Sequence, residues 1–161
     1  MKTLSILFIA FTFSIHSGLA QSSPGVRKQQ FNLEKGVAIQ GYDPVAYFTQ
    51  NKANPGRAVK GSAANAFTYK NVTYHFASAA NLKAFQENPD KYEPQYGGWC
   101  AYAMGAAGEK VEVDPETFKI TDGKLFLFYH TFINNTLTKW NKDEPNLHKK
   151  ADASWSKFTQ S

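Results

Sequence analysis

The sequence predicts a single α+β domain: a small antiparallel β-sheet of hairpins packed with a central helix and two C-terminal helices. Three observations predict it. Strand-forming residues flank two-residue polar links at Lys70-Asn71 and again at Asp122-Gly123, the pattern of β-hairpins. Apolar residues recur at helical spacing after Ser78 and in the tail. No internal repeat and no linker-like stretch divides the chain.

The elements follow in order. Lys2, the apolar run 4–13 and the small residues around Gly18-Leu19-Ala20 read as a secretory signal peptide over residues 1–20, with cleavage before Gln21. The run is shorter than the about 20 apolar residues a bilayer span takes. A periplasmic or secreted protein with no membrane span is expected. Residues 21–34 read as a polar lead-in and 35–158 as the domain. Residues 37–48 give a short apolar strand, a turn and a second apolar segment, and 49–66 read as an irregular loop. Strands 67–69 and 72–76 form a hairpin. Ser78 is a good N-cap for a helix over 79–87, with Leu82 and Phe85 on its inner face and Asn88-Pro89 ending it. Residues 94–98 are a loop and 99–104 a short helix. Residues 111–113 and 118–120 are expected to pair through Asp114-Pro115, and Asp122-Gly123 turns into a strand over 124–129. Phe132, Ile133, Leu137 and Trp140 suggest one tail helix; Leu147, Ala151 and Trp155 suggest another after a break near Pro145.

Composition narrows the function classes. With 42 % hydrophobic and 15 % aromatic residues the chain can bury a core. The formal charge of +5 includes Lys2, which leaves +4 on the mature chain. The lysines are scattered, the pattern of a solvated surface, so no nucleic-acid partner is expected. One cysteine, Cys100, cannot form an internal disulfide. No Gly-x-Ser-x-Gly elbow, Cys-x-x-Cys pair or phosphate loop is present.

His75 and Cys100 are the side chains best suited to a transition metal. By strand alternation Val72, Tyr74 and Phe76 share one face, and His75 points to the other with Thr73. If 99–104 is helical, Cys100 and Met104 stand at i and i+4. Imidazole, thiolate and thioether together would suit copper as Cu(I). The alternative is packing: Cys100 among small apolar neighbours and Met104 as core filler. Asp43, before Pro44, reads either as turn chemistry that caps backbone N–H groups or, with Tyr42 and Tyr47, as part of a tyrosine-lined pocket for a small ligand.

Taken together, these motifs resemble the YHS-domain family, whose Tyr-His-Ser signature falls here on Tyr74, His75 and Ser78. The resemblance is to its small exported stand-alone members. It extends over residues 41–48 (Gly-Tyr-Asp-Pro-Val-Ala-Tyr-Phe), 96–103 (Tyr-Gly-Gly-Trp-Cys-Ala-Tyr-Ala), 113–115, 122–125 and 151–155. YHS domains occur beside copper-transporting ATPases and some metal-dependent oxygenases, so the resemblance implies metal binding. With one cysteine, a closed cysteine-rich zinc site is excluded on ligand count. The leading expectation is an exported, non-enzymatic, metal-binding protein with copper held by His75, Cys100 and Met104. The first alternative is a small-ligand or protein-interaction module with a pocket lined by Tyr42, Asp43 and Tyr47. An enzyme comes third, since no complete acid–base or nucleophile constellation can be read. The sharpest geometric expectation is that Gly97-Gly98 let the chain approach the hairpin's open end and bring Cys100 beside His75.

Overall fold

The computed structural model describes residues 24–49 and 57–160. The expected signal peptide and part of the expected 49–66 loop lie outside the described residues. The fold is α+β: small sheets with helices packed against them. Among the described residues no helix is long and apolar enough to cross a membrane.

The stretch expected as a polar lead-in is part of the packed structure. Residues Pro24–Gln30 form helix α1, followed by the hairpin of β1 (Leu33–Glu34) and β2 (Val37–Ala38). Arg27 is buried and pairs with Glu93, whose carboxylate also accepts the Tyr74 hydroxyl at 2.5 Å. A buried arginine is tolerated because its charge is matched. The polar composition concealed the helix, whose anchor lies far along the sequence.

Strands β3 (Ser62–Tyr69) and β4 (Val72–Phe76) form the expected hairpin. Lys70 (φ 46°) and Asn71 (φ 67°) both adopt the left-handed conformation that tight two-residue hairpin turns require. The first strand begins earlier than expected, inside the predicted loop, and reaches Ser62 through a register shift before Ala66. The sheet order is β1-β2-β4-β3, and Val37 of β2 pairs with Thr73 of β4 in parallel. The sheet is therefore not wholly antiparallel.

Val72, Tyr74 and Phe76 point into the core, each fully buried, while Thr73 and His75 face outward. Helix α2 (Ala79–Glu87) starts where Ser78 accepts the Asn81 N–H at 3.1 Å. It presents Phe85 to Tyr74 and Phe76, with ring centroids 4.8 and 5.1 Å apart. A short helix, α3 (Pro89–Tyr92), follows. Near Tyr96 and Gly97 the backbone is left-handed. A Cβ on Gly97 would lie 2.8 Å from the Trp155 ring and 3.0 Å from that of Phe31, so this close approach serves α1 and the tail rather than the β3–β4 hairpin.

Helix α4 (Ala101–Ala106) starts two residues later than expected. It lies so close to α6 (Glu144–Thr159) that a Cβ on Gly105 would meet the Leu147 carbonyl oxygen at 2.4 Å. The predicted pairing of 111–113 with 118–120 does not occur. Asp114–Thr121 is one strand, β5, which pairs with β6 (Lys124–Phe128) across the Asp122-Gly123 turn. Pro115 lies where the register shifts between Asp114 and Phe118, as suits a residue with no N–H for the ladder.

The first tail helix also begins later than predicted. β7 (His130–Thr131) and β8 (Asn134–Asn135) form a hairpin with Phe132 and Ile133 at its tip, both almost wholly exposed. Only then does α5 (Thr136–Trp140) start, capped by the Asn135 side chain. Trp140 is fully buried between Phe126 and Phe128, and α6 closes the fold.

Candidate functional site

Asp43 is fully buried and has no oxygen to spare. One carboxylate oxygen accepts the backbone N–H groups of Val45 (2.8 Å) and Ala46 (3.3 Å). The other accepts the Ala77 N–H (2.8 Å) and the Asn81 side-chain amide (2.7 Å). These four donors compensate the buried charge and tie the 43–46 turn to the junction between β4 and α2. The turn-chemistry reading of Asp43 is the one its geometry fits. Tyr47 is also fully buried and donates to the Pro115 carbonyl at 2.9 Å. Burial pushes its phenol far above its ordinary pKa. Tyr42 reaches Glu116 at 3.3 Å, and burial first, then the Glu116 charge, raises its pKa. These hydrogen bonds commit Asp43 and Tyr47 to holding the fold, and none of the three residues is among those lining the two clefts described below.

Cys100 and Met104 are fully buried in two different apolar clusters. The Cys100 sulfur accepts the Tyr129 N–H at 3.3 Å and lies 3.4 Å from the Thr136 hydroxyl. Met104 packs with Tyr96, Phe126, Phe128 and Trp140. His75 stands on the outward face of β4, away from the core that holds Cys100. With His75 turned outward and both sulfur side chains enclosed in apolar clusters, the expected His75–Cys100–Met104 constellation is not assembled. The reason is strand alternation: the register that buries Tyr74 and Phe76 turns His75 out. Among the described residues, no three His, Cys, Asp or Glu side chains converge as metal ligands.

What His75 does face is a cleft. An opening of about 220 Å³ is lined by His75, Gly41, Val37, Glu34, Lys35 and Gln40. A second, of about 490 Å³, is lined by Glu34, Lys35, Gln40, Asn32, Leu33 and Glu112. They share Glu34, Lys35 and Gln40 as lining residues, so both border the β1–β2 turn. Neither ring nitrogen of His75 has a hydrogen-bond partner among the described residues, and Nδ1 looks toward Gly41.

The backbone under this cleft is strained. Lys35, Ile39 and Gln40 all have φ near +50°. For a β-branched residue such as Ile39 this conformation is an outlier and costs on the order of 1–3 kcal/mol. It persists because the surroundings over-determine it. The Ile39 side chain is buried, the Gln40 amide donates to the Val113 carbonyl at 2.9 Å, and the Gln40 carbonyl accepts Lys60 Nζ at 2.6 Å. The cleft thus offers an unpartnered imidazole, two carboxylates and an ammonium group on a rigid floor. Glu34, Lys35, Gln40 and Glu112 were not singled out in the sequence. The Lys35-Gly36 turn was the local signal that could have found the first three.

Compared with models of protein families, with curated proteins and with solved structures, the chain matches none.

Proposed function

We infer that the chain is an exported, non-enzymatic binding module of the YHS-domain type, which takes a small zwitterionic ligand in the cleft beside His75. The observation that supports this best is a coincidence in one place. The backbone strain at Ile39 and Gln40, the two neighbouring clefts and the His75 imidazole, without a hydrogen-bond partner among the described residues, all meet there. Strain of this kind gathers at binding sites, where it holds the floor in one shape. Lys35 on the rim suits a ligand carboxylate, while Glu34 and Glu112 suit an ammonium group. The copper reading retains His75 alone among its three expected ligands.

The test is an NMR titration of the His75 ring and the Lys35 and Gly41 amides with glycine and glycylglycine, run beside one with Cu(I). The expected result is saturable shifts at these residues with a zwitterion, lost in His75→Ala at unchanged melting temperature. A response to Cu(I) alone would replace the zwitterion by a metal. Silence to all three probes would end this reading of the cleft.

A further inference from the structure

The hairpin β7–β8 ends in Phe132 and Ile133, which are 103 % and 89 % exposed. These are the two central positions of a tight turn, where Gly, Asn, Asp, Pro and Ser are the residues with a physical reason to be. Neither residue has the positive φ of the usual two-residue hairpin turns. Turn chemistry therefore does not account for the pair, and neither does packing. From Thr131 to Thr138 no side chain carries a charge. At the base of the hairpin His130 and Asp114 face each other at 3.2 Å.

We propose that this tip is a membrane-surface anchor, in which Phe132 and Ile133 insert into the interfacial layer of an anionic bilayer. Three features favour a bilayer over a protein occupant. The patch is convex and consists of two side chains, on the order of a few hundred Å², whereas a stable protein interface buries roughly 1,200–2,000 Å². Nothing extends it: Val59, the remaining large exposed apolar side chain among the described residues, belongs to the segment hydrogen-bonded to Asp43. The net charge of +4 expected for the mature chain draws it toward anionic headgroups, and the uncharged run 131–138 leaves no charge to desolvate at the point of entry. Lipid requires no complementary pocket, only an apolar tip long enough to pass the headgroups.

The exported chain would be co-sedimented with vesicles of phosphatidylglycerol and phosphatidylcholine in equal parts, and with phosphatidylcholine alone. The expected result is partitioning into the anionic vesicles that exceeds that into neutral ones. It should fall at least about tenfold in the Phe132→Ser, Ile133→Ser double variant, as loss of two inserted side chains requires. The variant's melting temperature should not change, because neither side chain packs on the core. If it did change, Phe132→Trp provides the second measurement: its emission should shift to the blue on adding anionic vesicles. Equal partitioning of wild type and double variant, no partitioning of either, or no blue shift would overturn the proposal. So would a self-association that depends on the pair in the absence of lipid.

Discussion

A carboxylate taken wholly out of water is costly unless every lone pair is used; Asp43 meets that condition with four donors from two stretches of the chain, 45–46 and 77–81. Asp43→Ala would leave the Val45 and Ala77 N–H groups and the Asn81 amide without an acceptor. Each buried donor left so costs about 1–3 kcal/mol. The variant is expected to lose at least about 3 kcal/mol, read as a lowered urea midpoint, and a midpoint equal to wild type would show the carboxylate to be idle. The sequence pointed to Asp43 as a capping residue because Asp before Pro in a turn has that local chemistry. Its bonds to Ala77 and Asn81 were not legible, since they depend on how two distant segments meet. The same holds for His75. Its outward direction followed from alternation, while its neighbours in the cleft come from the β1–β2 turn and Gly41, a long way back in the chain.

Elements with local signals were legible and those with remote ones were not. Helix α2 has its cap, its spacing and its stop within one short window, and both main hairpins announce themselves by their turns. Helix α1 is held by an ion pair to Glu93, and the β2–β4 pairing is parallel, so neither leaves a nearby trace. Phe132 and Ile133 misled because their spacing to Leu137 and Trp140 mimics a helix face, although the two sit on a hairpin tip. The tail helices still carry a distinct energetic expectation. Trp140 is fully buried, so Trp140→Ala should cost about 3–5 kcal/mol. Trp155 is half-buried, touching Phe31 edge-on at 5.9 Å, and Trp155→Ala should cost less. Thermal melts of the two variants would reverse this order only if α6 carried more of the core than α5.

For the molecule as a whole, two partly exposed carboxylates contribute to its sensitivity to acid. Burial alone would raise Glu144, but Lys119 at 2.5 Å and the Thr121 hydroxyl at 3.1 Å hold it below its ordinary 4.5. Asp114 is likewise pushed up by burial and brought below its ordinary 3.8 by the Glu116 N–H, the Thr117 hydroxyl and His130. Groups depressed in the folded state stabilise it above their unfolded pKa and lose that contribution as pH falls through the folded value. Stability should therefore decline from about pH 4.5 downward. Glu144→Gln should flatten that decline in urea midpoints measured against pH; an unchanged slope would assign acid unfolding to other groups. The thiol of Cys100 adds a different consequence. With its sulfur enclosed and hydrogen-bonded, it meets oxidants and alkylating reagents only when the molecule opens. The rate at which it reacts is thus a clock for unfolding, and a folded population can share an oxidising compartment with other thiols without being cross-linked to them.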